Sequence, residues 1–344
     1  MAAATLSIDL TAICANWRAL AAKSAAQMAA VVKADAYGLG VAPVAMVLAR
    51  AGARHFFVAN CEEGAALRKA LGAGPDIYVF SGHMAGDAPL IADHALIPLL
   101  NAPEQMARHR EAIPSHAYGF QLDTGMSRLG LSKDDWNATR ALALPHNPRL
   151  VVSHLACADT PDHPMNAQQL DAFIAMTSEV DAPCSLAATG GILLGRAYHF
   201  HMTRPGIGLY GGAPFADAKP VVRLSVPVIQ LRHLAKGDSV GYGGTWQAQQ
   251  PARIATLAAG YADGIYRHLA QGLRFYHGTT PCPAVGRISM DTIGVDITHL
   301  PDTPLALDLL NREQTIDSLA AVAGTINHEI LTSLGARYQR RYIV

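Results

Sequence analysis

The chain has 344 residues, 27 Lys and Arg against 27 Asp and Glu, and a formal charge of zero. Half of its residues are hydrophobic and 16% are charged, which supports a large core and excludes an intrinsically disordered chain. The balanced charge gives no basic patch for nucleic acid or for an anionic membrane surface. The length fits two domains of roughly 150 residues, or one (β/α)8 barrel of about 250 residues with an additional domain.

The five cysteines are widely spaced and form no CxxC pair, so we expect neither a disulfide framework nor a cysteine zinc site. The N-terminal segment lacks the basic region of a signal peptide, and no stretch approaches the ~18 apolar residues of a membrane span. We therefore expect a cytoplasmic protein with no membrane partner. The basic run ending at Arg341 is followed by Ile343 and Val344, which favours a terminal strand over an anion-binding patch.

Eight apolar runs are the strand candidates in the first two thirds of the chain. Segments with helical spacing of apolar residues lie between them. The runs are, in order, MAAVVKA, HFFVAN, IYVFSG, ALIPLL, AYGFQLD, RLVVSHL, CSLAAT and HMTRPGIGLY. Six of them could form an open doubly wound sheet, but the count of eight favours a closed barrel of parallel strands.

After about Gly212 the sequence changes to runs rich in Val, Thr and Gly, which indicate a smaller β domain. The predicted fold class is therefore α/β. We expect a (β/α)8 barrel domain over residues 1–212 and a mainly β domain over residues 213–344.

Lys33 stands where the first apolar run meets a loop, in AVVKADAYG. In a barrel this is the end at which catalytic residues gather. Partial burial lowers the pKa of a lysine and suits it to imine formation with an aldehyde cofactor, although a strand-end lysine can also extend into solvent without any catalytic role.

Three short motifs have competing interpretations. The run Gly206–Gly211 spells GxGxxG, but it closes the βα alternation instead of opening it, which favours a phosphate held by backbone N–H groups over a dinucleotide. Asp123–Gly125 matches half of an aspartic-protease pair, in the wrong fold class. His199 and His201 form an HxH pair without a second cluster, and we predict no metal site.

Taken together, the ordered motifs resemble those of the alanine racemases, a family of pyridoxal-phosphate enzymes with an N-terminal barrel and a C-terminal β domain. The resemblance spans nearly the whole chain. The motifs are AVVKADAYG, LDTGMSRLG, SHLA, RPGIGLYGG, VGYGG, AGYADG, VGRISMD and GTINHEIL.

The resemblance implies two catalytic bases. Lys33 is expected to form the aldimine with pyridoxal 5'-phosphate and to act as the base on the D side, while Tyr261 acts on the L side. Tyr261 is expected to reach the active site of the partner subunit, so that a homodimer has shared active sites and takes alanine as its substrate. Two bases on opposite faces of a planar centre allow inversion.

The resemblance also implies the groups that hold the cofactor and the substrate. Arg204 is expected to donate to the pyridine nitrogen, and His154 to link Arg204 to Tyr261. The groups matched to the phosphate are Tyr37, Thr189, His328 and the N–H groups of Gly206 and Ile207. Arg128 is matched both to the phenolic oxygen of the cofactor and to the substrate carboxylate. The backbone of Met290 is the second carboxylate contact, and Asp291 is expected to organise the entrance.

Several positions depart from the family pattern, among them His201, which replaces a common acidic residue. Gln121 replaces a lysine, often carbamylated, that orients the arginine matched to Arg128. Glutamine brings no negative charge, so either a bound anion replaces that charge or Arg128 is held less firmly. Ala188–Thr189 replaces Asn-Ser. His328 replaces a tyrosine at the entrance, which predicts a wider gate and broader specificity, for example for serine.

Two other functions remain open at this point. One is a racemase of broader specificity, the other a non-catalytic protein that carries the cofactor. Arg204 opposes a barrel-type decarboxylase, since those enzymes pair the pyridine nitrogen with a carboxylate. The sequence does not distinguish synthesis of D-alanine for the cell wall from its consumption.

Overall fold

The computed structural model describes residues 3–144, 148–270 and 272–344. They form two compact units, Ile13–Ala218 and a second that joins the segment ending at Ala12 to Lys219–Val344. The first strand belongs to the second unit. The division into domains over residues 1–212 and 213–344 stays a prediction.

The strands alternate with helices through Ile13–Ala218 and dominate the second unit. In chain order they are β1 (Thr5–Asp9), β2 (Gln27–Met28), β3 (Ala30–Val31), β4 (His55–Val58), β5 (Asp76–Val79), β6 (Leu96–Leu100), β7 (Gly119–Gln121), β8 (Val151–Val152), β9 (Cys184–Ser185), β10 (Met202–Thr203), β11 (Val222–Leu234), β12 (Ser239–Val240), β13 (Trp246–Gln247), β14 (Ala252–Leu257), β15 (Arg274–His277), β16 (Thr280–Val285), β17 (Ile293–Asp296), β18 (Ala306–Leu310) and β19 (Gln339–Ile343).

The helices follow the strands of the barrel or pack within the second unit. They are α1 (Leu10–Lys23), α2 (Lys33–Tyr37), α3 (Val41–Ala51), α4 (Cys61–Leu71), α5 (Ala88–Asp93), α6 (Pro103–Ala112), α7 (Lys133–Ala143), α8 (Pro164–Thr177), α9 (Thr189–Leu194), α10 (Ile316–Ala323) and α11 (Asn327–Thr332). Within the described ranges, none of them is long and apolar enough to cross a membrane.

The first unit is a barrel of parallel strands. Strands β3 to β9 pair in sequence order, and β10 pairs with β2, which lies one residue before β3. Backbone bonds close the ring on both sides of β10, from Ala29 N to Thr203 O at 2.9 Å and from Arg204 N to Ala187 O at 2.9 Å. The eight predicted strands and the barrel are confirmed.

The barrel strands are apolar because both their faces are covered. All five residues of β6 are buried, and so are the last three of β4 and of β5. The carboxyl ends of parallel strands meet at one end of a barrel, so residues that follow the strands gather there.

The second unit is mainly β, as predicted. Its pairings close a ring of six strands in the order β14, β17, β16, β15, β18 and β11. The 13-residue strand β11 also pairs with β1, which in turn pairs in parallel with β19. The predicted terminal strand is therefore confirmed, and the two ends of the chain lie side by side in one sheet.

Candidate active site

A cavity of about 560 Å³ lies at the carboxyl ends of the barrel strands. Its lining includes the cations Lys33, Arg128 and Arg204, together with His154, and the described residues of the lining include no carboxylate. The volume suits a small molecule, and the excess of positive charge favours an anionic one.

Lys33, the second residue after β3, lines this cavity. Its Nζ lies 5.8 Å from the centroid of the Phe80 ring. Burial, and then the nearby Arg128 guanidinium, lower the pKa of the Lys33 amine, while Glu63 acts in the opposite direction. A lowered pKa increases the share of neutral, nucleophilic amine at physiological pH.

The chain turns in an uncommon way immediately after Lys33. Ala34, Asp35, Ala36 and Tyr37 all have positive φ, between 52° and 57°. L residues rarely adopt this conformation, and here it ends at Gly38 with φ 81°. The turn brings the Tyr37 ring onto the Tyr210 ring, with centroids 4.5 Å apart.

Three of the predicted phosphate-binding groups, Tyr37, Thr189 and Gly206, lie close together in the barrel unit. The Thr189 hydroxyl accepts bonds from the N–H groups of Gly206 and Gly208, each at 3.2 Å. A Cβ on Gly206 would lie only 2.3 Å from the Tyr37 hydroxyl, so glycine is required there by space. Ile207 begins a 3-10 turn over Ile207–Tyr210, where the first N–H groups have no partner within the turn.

Arg204 is 2% exposed and is held by Ser185 of β9 and by Ser153, which follows β8. It donates to the Ser153 carbonyl at 2.6 Å and to the Ser185 hydroxyl. Burial lowers the pKa of its guanidinium to about 9. Arg204 therefore keeps its proton at neutral pH and presents a fixed positive charge to the cavity.

His154 and Arg128 line the cavity beside Arg204. The His154 carbonyl accepts a bond from Gln169 Nε2 at 2.9 Å, which fixes this loop. Gln121 donates its Nε2 to Leu129 O at 3.2 Å, and the described residues offer Arg128 no hydrogen bond or ion pair. Gln121 thus stabilises the main chain next to Arg128, and Arg128 is exposed.

Tyr261 and Met290 belong to the second unit and lie on two connected turns. Tyr261 N donates to Ser289 O and Ala262 N to Met290 O, both at 3.0 Å. The side chains of Tyr261 and Met290 are 40% and 53% exposed. This unit therefore presents a phenol and a main-chain segment on a rigid surface.

Three charged groups, Arg337, Asp291 and Asp263, support these turns. Arg337 donates to Asp291 Oδ1 at 2.8 Å, and its Nε lies 3.3 Å from Asp263 Oδ1. Asp263 in turn accepts from Gly260 N at 2.9 Å. His328, in α11, is half-buried and its Nδ1 lies 2.8 Å from Asn327 Oδ1.

The competing motifs have structural roles. His199 Nδ1 accepts from Ala25 N and His201 Nδ1 accepts from Cys184 N, each at 3.0 Å. Asp123 Oδ1 accepts from Gly125 N at 2.9 Å in a tight turn. The residues that we describe contain no cluster of potential metal ligands.

Sequence reasoning missed several groups that support the site. They are Ser153 and Ser185, which hold Arg204; Tyr210, which stacks on Tyr37; and Glu63, which accepts from Ala34 N at 2.8 Å. Tyr210 and Ser153 lie within recognised motifs, but their contacts depend on pairings between distant strands.

The fold and the cavity define a barrel enzyme whose amine and anion-binding groups lie at the carboxyl ends of its strands. Models of two domains match the chain: "Alanine racemase, N-terminal domain" over residues 8–214 and "Alanine racemase, C-terminal domain" over residues 221–342. The chain therefore belongs to the alanine racemase family. Racemases are isomerases, which gives its enzyme class.

Individual relatives agree with the domain models. An alanine racemase of Cereibacter sphaeroides is 61% identical over 344 residues, 99% of each chain. The crystal structure of alanine racemase from Bartonella henselae with covalently bound pyridoxal phosphate is 36% identical, with a TM-score of 0.95 over 100% of both chains. That of biosynthetic alanine racemase from Pseudomonas aeruginosa is also 36% identical, with a TM-score of 0.91 over 100% of both chains.

Proposed function

We propose that the protein interconverts L- and D-alanine with pyridoxal 5'-phosphate, through two bases that belong to different subunits of a homodimer. The observation that carries the proposal is Lys33, an amine with a lowered pKa in a cationic cavity at the carboxyl end of a barrel strand. A family member from Bartonella henselae binds pyridoxal phosphate covalently, which supports the same cofactor here.

The residues present fit this cofactor. Lys33 offers the amine that an aldehyde requires. Thr189, the Tyr37 hydroxyl and the N–H groups of Gly206 and Ile207 offer donors to a phosphate, and His328 is a further candidate. Because a Cβ at Gly206 would collide with the Tyr37 hydroxyl, glycine allows Tyr37 to approach this backbone. When bound, the cofactor supplies an electron-accepting ring that acidifies the Cα–H of the amino acid.

Arg204 holds the ring nitrogen as a hydrogen-bond donor. Because its pKa of about 9 keeps it charged at neutral pH, Arg204 retains its own proton. Through this bond Arg204 would leave the ring nitrogen unprotonated and so would limit how much charge the ring withdraws from Cα. Arg204 thereby favours rapid return of the proton over side reactions such as transamination.

The two bases exchange the proton of Cα. Lys33 Nζ acts on the D side and Tyr261 Oη of the partner subunit acts on the L side. The exposed phenol on a turn held by Ser289 supports a role outside its own unit. His154 relays the charge of Arg204 to Tyr261, which favours the tyrosinate. Arg128 and the Met290 backbone hold the substrate carboxylate, and Asp291 orders the entrance.

Borohydride reduction of the purified full chain, followed by peptide mapping, tests the cofactor assignment. We expect the reduced cofactor on the peptide containing Lys33, and no label in Lys33→Ala. Polarimetry of the same preparation is expected to show racemisation of L-alanine faster than of L-serine. Labelling of Lys33 without racemisation of either amino acid would establish a carrier protein. Racemisation of L-serine faster than of L-alanine would establish a racemase of broader specificity.

Complementation between two inactive variants tests the shared sites. Lys33→Ala and Tyr261→Phe are each expected to lose racemisation, whereas Tyr242→Phe, on another exposed turn of the same unit, retains it. Refolding the two inactive chains together regenerates one complete site in each mixed dimer, and up to about a quarter of wild-type activity. If Tyr261 served its own subunit, the mixture would stay inactive.

A further inference from the structure

The turn that follows Lys33 requires support from outside itself. Four consecutive residues, none of them glycine, have left-handed φ, and the first of these is Ala34. Bonds within the segment include Ala36 N to Val32 O at 2.9 Å and Gly38 N to Ala34 O at 2.7 Å. These leave the N–H of Ala34, next to Lys33, to an acceptor from another element.

Glu63 supplies that acceptor from helix α4. Its Oε1 accepts from Ala34 N and its Oε2 from Ala59 N, both at 2.8 Å. The helix is fixed in turn because Asn60 caps it, with Glu63 N donating to Asn60 Oδ1 at 2.9 Å. One carboxylate therefore joins the residues that follow β3 and β4 at the cavity end of the barrel.

The charge of Glu63 also matters at this position. The cavity is lined by Arg128 and Arg204 in addition to Lys33, and the Phe80 ring faces the amine. Of the charged groups that act on Lys33, Arg128 lowers its pKa and Glu63 raises it. Glu63 is thus the anion that opposes Arg128 at the amine.

We propose that Glu63 is a positioning residue for Lys33: its carboxylate holds the left-handed turn that directs Lys33 into the cavity and places a negative charge opposite Arg128. This inference rests on the proposed function, since it concerns the amine that we assign to catalysis. Glu63 acts on Lys33 through its main-chain hydrogen bonds and through the electrostatic field of its carboxylate, and it does not contact the substrate.

Glu63→Gln, Glu63→Asp and the control Glu62→Gln separate the two roles. Glu62 is exposed and carries the same charge one residue away, without a bond to the turn. In Glu63→Gln an amide NH2 must face one of two N–H donors, so one bond and the charge are lost. Glu63→Asp keeps the charge on a shorter side chain.

Hydrogen exchange of the full chain reports the bridge directly. We expect the amides of Ala34 and Ala59 to exchange about tenfold faster or more in both Glu63 variants, and unchanged in Glu62→Gln. Equal exchange in the wild type and both Glu63 variants would overturn the bridge. Because the measurement is made on the chain without added cofactor, it does not depend on activity.

Trace acetylation of the full chain after removal of the cofactor with hydroxylamine, with mass spectrometry of the Lys33 peptide over a range of pH, reports the effect of the Glu63 charge on the Lys33 amine. The midpoint is expected to move to lower pH by about half a unit in Glu63→Gln and to stay near the wild-type value in Glu63→Asp. An unmoved midpoint in Glu63→Gln would overturn the charge role. If borohydride labelling of Lys33 failed in the wild type, the proposed function would be wrong while both measurements remained interpretable.

Discussion

Arg204 donates a hydrogen bond of 2.6 Å to the carbonyl oxygen of Ser153, and both residues are almost completely buried. Ser153 directly precedes His154, so the same contact fixes the guanidinium and the loop of a second cavity residue. The Ser185 hydroxyl binds Arg204 from the neighbouring strand. The orientation of the Arg204 guanidinium in the cavity therefore depends on a few buried hydrogen bonds to main-chain and hydroxyl oxygens.

Replacing Arg204 by Gln is expected to cost about 2–4 kcal/mol in the free energy of unfolding, because the acceptors that it satisfies lie out of reach of water. Racemisation is expected to fall at least about tenfold, since the fixed charge is also lost. Urea denaturation and polarimetry measure the two effects. Arg196→Gln is the control, because Arg196 is exposed and belongs to the same barrel unit.

Gly206→Ala is expected to weaken cofactor affinity by about tenfold or more, because its Cβ would lie 2.3 Å from the Tyr37 hydroxyl. Fluorescence titration with pyridoxal phosphate measures the affinity. Removing the hydroxyl in Gly206→Ala/Tyr37→Phe should restore part of the loss, and simple additivity of the two changes would contradict this steric account.

His109 is expected to make the barrel sensitive to acid. Its Nε2 lies 3.1 Å from His116 O and must carry a proton, so its Nδ1 accepts from His83 Nδ1 at 3.1 Å. A second proton would place two N–H groups face to face. Burial lowers the pKa of His109 from 6.5 to about 4, with Asp87, Arg108 and Tyr118 also near the pair.

The effect of pH on stability follows from proton uptake by the unfolded chain. Between pH 6.5 and about 4 the unfolded chain binds a proton at this histidine and the folded chain does not, so stability falls as the pH is lowered through this window. In His109→Gln, which keeps a hydrogen-bond donor and an acceptor, we expect the acid-induced fall in the free energy of unfolding to be smaller by about 2–3 kcal/mol. Denaturation at several pH values measures it, with exposed His233→Gln as the control. Parallel curves for wild type and His109→Gln would refute the assignment.

His328 tests the predicted width of the entrance. The imidazole lies 2.8 Å from Asn327 Oδ1 and is shorter than the tyrosine of the family pattern. His328→Tyr is expected to lower the ratio of serine to alanine racemisation severalfold, because a narrower gate excludes side chains larger than methyl. An unchanged ratio, measured by polarimetry on both amino acids, would show that His328 does not set specificity.

The barrel could be predicted because each of its strands is an apolar run between helical segments. The pairing of β10 with β2 and β9 is not visible in any single run, although the count of eight implied closure. The first strand was not assigned to the second unit, because its partners β11 and β19 lie more than 200 residues away. Such contacts depend on the whole fold and leave no local pattern.

The site was predictable where a side chain bears the chemistry, as in Lys33 and Arg204. Its supporting geometry was not. The segment Ala34–Tyr37 has no glycine before Gly38, so nothing in the sequence indicates its left-handed backbone. Glu63 sits in a helix as one of two adjacent glutamates, and only the fold distinguishes the bridging carboxylate from the exposed one.

The pairing of β1 with β19 has a consequence for synthesis of the chain. Residues Thr5–Asp9 leave the ribosome more than 300 residues before their parallel partner Gln339–Ile343. The barrel of Ile13–Ala218 can assemble while translation continues, whereas the β unit cannot be completed until Gln339–Ile343 has emerged. We therefore expect chains truncated before Gln339 to retain a barrel without a complete second unit.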